Sequence, residues 1–172
     1  MREFTQVLAP MKTSETLEKI TLTFHQREKS RLKATLPSGE EIGLFLTRGT
    51  VLKAGDVLSN EQNQLLEVVA ANETVSTITA DDSHLLLRIA YHLGNRHVPL
   101  QVETNWLRYG HDHVLDDMVT LLGGHVSVEK QPLQPEAGAY GGGHSHGHSH
   151  DDSHDDSHGH EHLHHDYSHH EH

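Results

Sequence analysis

From Gln64 to Gln131 short apolar-rich, β-branched runs give way to apolar residues at helical spacing and then return, twice over, and the order of those changes constrains the fold more than any other feature. The strand "QLLEVVAA" (Gln64–Ala71) passes through a turn near "NET" into a second strand, "VSTITA". The pattern "DDSHLLLRIAYHLG" then puts Leu85, Leu86, Ile89 and Leu93 on one helix face, with Asp81 and Asp82 at the N-terminal end where the helix dipole favours negative charge. Gly94 fits the position just past such a helix, and Asn95 extends the break. Two strands follow, "VPLQVE" (Val98–Glu103) and "NWLRY" (Asn105–Tyr109). A second helix, "HVLDDMVTLLGG", carries Val114, Met118, Leu121 and Leu122 as its apolar stripe, and "HVSVEKQ" closes as a strand. The order β-α-β-β-α-β predicts a ferredoxin-like domain over residues 73–140.

Residues 1–72 have no helical rhythm. "LEKITLTF" (Leu17–Phe24) alternates imperfectly, "RLKATL" alternates cleanly, "PSGEE" supplies a tight turn into "EIGLFL", and "RGTVLKAGDVLS" places two glycines in loops. The expectation is a small antiparallel β-domain, giving an α+β chain overall.

The last 32 residues, 141–172, exclude themselves from any core. They hold thirteen of the twenty histidines, five Asp and two Glu, but one Leu, one Tyr and no Lys or Arg. Such a composition cannot bury enough apolar surface to offset its ordering entropy, which predicts a disordered tail. Because the tail takes seven of the 25 acids and none of the 13 bases, the remaining body has a formal charge of −5 against −12 for the chain. No basic stripe appears in that body and its candidate stacking aromatics are only Trp106 and Tyr109, which argues against nucleic acid as a partner. The sequence has no cysteine, so disulfides, thiolate zinc sites and iron–sulfur clusters are excluded, and any metal must bind through nitrogen and oxygen. "MREFTQVLAPMKTSE" lacks the apolar core of a signal peptide and no apolar run reaches membrane-spanning length, so a cytoplasmic protein with no membrane partner is expected.

The tail histidines are His144, His146, His148, His150, His154, His158, His160, His162, His164, His165, His169, His170 and His172. They are spaced by Ser, Gly, Asp and Glu rather than run together as in a purification tag. Imidazole suits Ni2+, Cu2+ and Zn2+, and the interleaved carboxylates add oxygen ligands, so several ions per chain are expected, released as pH falls through about 6.5 where imidazole protonates. The competing reading is an acidic solubilising tail, which would not need so many histidines.

Seven histidines lie elsewhere. His111 and His113 form an H-x-H pair around Asp112; they share a face only if the segment is extended, and the alternative is a helix entry capped by Asp112 with both rings solvated. His97, in "GNRHVPL", is a single loop imidazole, more often structural than ligating, unless a two-fold axis brings in the same residue from a second copy and leaves an open, exchangeable shell. His92, one turn earlier, is either an auxiliary ligand or a solvated residue interacting with the helix dipole. His25, His84 and His125 each stand alone. H-E-x-x-H, G-x-S-x-G and phosphate-loop spacings are absent, so no enzyme is predicted.

"GNRHVPLQ" (Gly94–Gln101), "RYGHDHVLDDM" (Arg108–Met118) and the His-rich C-terminus together resemble the UreE family of urease accessory proteins, the nickel metallochaperones of urease maturation. The resemblance implies a homodimer joined through its C-terminal domains, with His97 of both subunits binding Ni2+, further metal at His111 and His113, and more in the tail. It implies an N-terminal domain of the peptide-binding type facing apourease or the other accessory proteins. The family works with a UreG-type GTPase and two further accessory proteins to load nickel into apourease. One local departure is Gly110, where some relatives carry another histidine. Beside delivery stand two other readings: a passive nickel or zinc buffer, and a peptide-binding folding chaperone whose metal is incidental.

Overall fold

The computed structural model describes residues 1–10 and 16–138; the tail histidines and their expected disorder lie outside the described residues. In the first half the elements are β1 (Arg2–Phe4), β2 (Gln6–Leu8), β3 (Glu18–Leu22), the one-turn helix α1 (Phe24–Arg27), β4 (Arg31–Thr35), β5 (Glu41–Phe45), β6 (Val57–Ser59) and β7 (Leu65–Ala70). They form two sheets, β1-β5-β4 and β2-β6-β7-β3. Alternation in β3 sends Ile20 and Leu22 inward, where they meet Phe4, Ile42, Leu44, Leu58 and Leu66 in one core.

The α+β class holds, but the first half is not purely antiparallel: β1 runs parallel to β5, and β3 parallel to β7. Alternation reports which face a residue takes and is silent about the direction of the neighbouring strand. Phe24, read as the end of a strand, starts α1 instead. Thr23 caps that helix and shares a reciprocal capping box with Gln26, which turns the chain out of β3.

The second half comprises β8 (Asn72–Thr79), α2 (Ser83–Gly94), β9 (Gln101–Val102), β10 (Leu107–Gly110), α3 (His113–Leu122) and β11 (His125–Pro132). The sheet order β11-β8-β10-β9, all antiparallel, is the ferredoxin-like arrangement. Ile78, Leu107 and Tyr109 from the strands pack against Leu86, Ile89 and Leu93 of α2 and Val119 of α3. No helix among the described residues is long and apolar enough to cross a membrane.

Four local readings are corrected. There is no turn at "NET": Asn72–Thr74 already belong to β8, because β11 pairs with it down to Pro132 opposite Asn72, and only Ala71 separates β7 from β8. The strand expected over Val98–Glu103 shrinks to two residues, since Pro99 has no N–H and Val98 and Leu100 turn toward the helical core. On α3 Met118 and Leu122 face the core as expected, but Leu115 and Val119 complete the inward stripe, while Val114 and Leu121 are 62% and 88% exposed. Gly94 is the last residue of α2 rather than a left-handed stop; that conformation appears three residues later, at His97.

Arg27 joins the two halves. Its side chain is fully buried, and it donates from Nη1 to the Leu52 carbonyl at 3.1 Å and to Gln134 Oε1 at 3.0 Å, and from Nη2 to the Leu133 carbonyl. Burial pushes the guanidinium below the ordinary arginine range, against the opposing pull of Glu73, Glu28 and Asp56. Removing the donor strands two carbonyls in a dry site. Arg27→Ala is expected to lower unfolding stability by about 2–4 kcal/mol in urea denaturation, with Arg27→Lys recovering part of it.

The end of α3 makes a second demand. Gly123 closes the helix at φ 99, and a Cβ on the next residue, Gly124, would lie 2.7 Å from Ile89 Cδ1 and 2.8 Å from Val119 Cγ1. The isoleucine tip can shift, but a β-branched valine inside a helix has little rotamer freedom. Gly124→Ala should cost about 1–2 kcal/mol, read as a lower thermal midpoint with the same unfolding cooperativity.

Candidate metal centre

The exit from α2 is a tightening turn. Asn95 N–H donates to the Tyr91 carbonyl at 3.0 Å, Arg96 N–H to Leu93 at 3.1 Å and His97 N–H to Gly94 at 2.9 Å, so the bonds shorten from helical to turn spacing. His97 then takes φ 55, a left-handed conformation that histidine adopts more readily than most residues but that still costs about 1 kcal/mol. The residue is exposed, and its reversed backbone leads the chain from the helix toward β9. Nothing in the spacing of "GNRHVPL" forecast this, because Gly94, three residues earlier, was the expected helix stop.

His92 is half-buried one turn earlier, its ring edge-on to Tyr91 at 5.5 Å, and Arg96 Nη1 donates to its carbonyl at 3.2 Å. On the same helix Leu87 and Tyr91, four residues apart, are 70% and 67% exposed. They form an apolar stripe on the exposed face of α2, the helix that leads into the His97 turn.

The H-x-H pair is divided by the start of α3. Asp112 has extended backbone and caps the helix, its Oδ1 accepting from the N–H of Val114 at 2.8 Å and of Leu115 at 3.2 Å. His113 is the first helical residue and is exposed. His111 stays in the extended segment, where its N–H donates to the Thr74 carbonyl at 3.1 Å.

The ring of His111 is held from inside. Its Nδ1 lies 3.0 Å from Asp116 Oδ2 and 3.1 Å from Ser76 Oγ, and the other oxygen of Asp116 accepts from the Tyr109 hydroxyl at 2.7 Å. Tyr109 and Ser76 are fully buried, and burial together with the Asp116 carboxylate raises the Tyr109 phenol well above its ordinary range. Sequence reasoning missed Asp116, Tyr109 and Ser76 as a group. They come from α3, β10 and β8; Tyr109 and Asp116 lie within five residues of His111, but Ser76 is 35 positions away along the chain.

The remaining histidines stay apart. His125 Nε2 pairs with Asp81 Oδ1 at 2.9 Å on the surface, His25 lies 4.0 Å from Glu28, and His84 is exposed. Among the described residues no group of three or more His, Asp or Glu comes together around a common metal position. The donors that are available, exposed imidazoles without thiolate, fit borderline divalent ions such as Ni2+, Zn2+ and Cu2+. Gly110 has open space where a Cβ would stand, so a side chain at that position meets no obstacle.

Comparison with known proteins agrees along the whole body. Residues 4–71 match the family "UreE urease accessory protein, N-terminal domain", and residues 73–172 match its C-terminal domain family. The urease accessory protein UreE of Proteus mirabilis is 54% identical over 148 residues, covering 83% of this chain and 92% of its own length. Those of Alcanivorax borkumensis and Vibrio parahaemolyticus are 58% and 60% identical, covering 74% and 72% of this chain and 76% and 77% of their own lengths. With a matching N-terminal half, a matching ferredoxin-like half and relatives of this identity, the chain belongs to the UreE family of urease accessory proteins.

Proposed function

We propose that this protein is a cytoplasmic nickel metallochaperone that captures Ni2+, holds it in exchangeable form between two copies of the chain, and delivers it to apourease during assembly of the urease nickel centre. The observation that carries this reading is His97, an exposed imidazole presented on a left-handed residue in a body that gathers no group of three ligands among its described residues. One imidazole holds a divalent ion weakly; two, related by a two-fold axis, make a shared and incomplete shell. The exposed Leu87 and Tyr91 of α2, the helix that leads into His97, would supply apolar surface for such a homodimer.

His111 and His113 would take further metal, with His92 as an auxiliary ligand, and the thirteen histidines from His144 to His172 would concentrate ions from solution. Zn2+ and Cu2+ are the expected competitors, since both accept the same donors. Residues 1–72 would form the domain that faces protein partners, residues 73–140 the metal-binding domain, and 141–172 the intake. The names of the relatives, urease accessory proteins, support urease as recipient and a role as carrier rather than enzyme; a UreG-type GTPase and the other accessory proteins complete the proposed set of partners.

A passive nickel or zinc store is favoured by one observation, the same lack of a three-ligand group in the body. A chain ending at Gly143 separates the two, because both hydrophobic cores and every described element lie within Met1–Gly138. With zinc present as competitor, the truncated protein is expected to retain about one nickel ion per dimer. That ion should be lost in His97→Asn, which removes the imidazole but tolerates the left-handed backbone, so that loss of metal cannot be blamed on loss of the turn. Retention of no nickel by the truncated chain would replace delivery with storage.

A further inference from the structure

The ring of His111 is more constrained than a solvated surface histidine needs to be. Among the described residues both of its polar side-chain contacts fall on Nδ1, at 3.0 Å from Asp116 and 3.1 Å from Ser76, while the side chain remains 37% exposed. A carboxylate oxygen at that distance repels a lone pair and attracts a proton, so the neutral ring carries its hydrogen on Nδ1. The lone pair is then on Nε2, and the geometry of imidazole aims Nε2 away from the partners of Nδ1. Asp116 cannot easily turn away, because its second oxygen is held at 2.7 Å by the hydroxyl of the fully buried Tyr109. A histidine with only a packing role gains nothing from an outward lone pair.

We propose that Asp116, anchored by Tyr109, is a positioning residue that fixes His111 in its Nδ1–H form and so presents Nε2 as a ready-made metal donor. This rests on His111 being a nickel ligand. A neutral imidazole left to water favours the opposite, Nε2–H form, so a ligand without Asp116 would have to change tautomer before binding. Hydrogen-bonded carboxylates behind metal-binding histidines act this way in general, and removing them weakens metal binding about 10- to 100-fold.

The test uses the full, metal-free chain labelled with nitrogen-15 in its histidines, above about pH 7.5 where an ordinary imidazole is neutral. Two-bond proton–nitrogen spectra report the tautomer, and His111 is identified by the signal missing from His111→Gln. The wild-type ring is expected as Nδ1–H, Asp116→Asn should move it toward Nε2–H, and Asp116→Glu, which keeps the charge, should hold it. A wild-type Nε2–H ring, no change in Asp116→Asn, or the same loss in Asp116→Glu would overturn the proposal. Should Asp116→Asn not fold, Tyr109→Phe gives the same reading as a smaller shift in the same direction.

Titration with Ni2+ past saturation of the other histidine signals then reads the metal directly. The concentration that broadens half of the His111 signal should rise about tenfold in Asp116→Asn. Equal broadening in both proteins would overturn the role of Asp116 while leaving His111 a ligand. No broadening of His111 in the wild type at any concentration would instead remove the residue from the metal-binding set, and the proposal with it.

Discussion

A buried guanidinium sets the geometry that the rest of the molecule depends on. Arg27 reaches from the end of α1 to the Leu52 carbonyl within the first half and to Leu133 and Gln134 beyond β11. The segment it holds continues the chain of contacts: the Gln134 N–H donates to Gln101 Oε1 at 3.0 Å and the Glu136 N–H to the Leu100 carbonyl at 2.8 Å. Leu100 and Gln101 follow His97 by three and four residues. The turn that presents His97 is therefore fixed on one side by α2, whose Leu93 is fully buried, and on the other by the strap that Arg27 anchors. A left-handed histidine needs such support, since its backbone energy persists only where the surroundings over-determine it.

The two candidate metal-binding positions in the body solve different problems. His97 is exposed, so its geometry as a ligand would be set by what meets it from outside. His111 is oriented from within, by a buried serine, a buried tyrosine and an aspartate at the start of α3. A shell completed from outside exchanges readily, while a pre-oriented donor loses less entropy on binding. On the proposed function, the first property suits hand-over and the second suits capture.

Much of this was legible in the chain. The β-α-β-β-α-β order was readable because α2 keeps its helical period over twelve residues and strand-forming runs flank it on both sides. Even the exit of β3 into α1 was written locally, as Thr23 three residues before Gln26, though the reading extended the strand through it. What could not be read was partnership across distance. Parallel pairing of β1 with β5 joins residues 40 positions apart, and the cluster around His111 draws on Ser76, 35 positions away. The face of α3 was only half legible, in Met118 and Leu122, for a subtler reason: Val114 and Leu121 are apolar and correctly spaced, and only packing against β11 and α2 decides that Leu115 and Val119 face inward instead.

The absence of cysteine ties these features together. A thiolate shell would bind zinc or copper tightly and release it slowly, whereas imidazole and carboxylate give weaker sites whose occupancy depends on how much metal is nearby. For a carrier built from such donors, affinity at the hand-over position cannot be raised without making release harder. Local concentration can. On the proposed function, the thirteen histidines at residues 144–172 of the same chain would raise the effective concentration of metal without changing the affinity of any one site, so that capture and release would fall to different residues. That division would account for a body that clusters no three ligands among its described residues standing in one chain with a segment so rich in histidine.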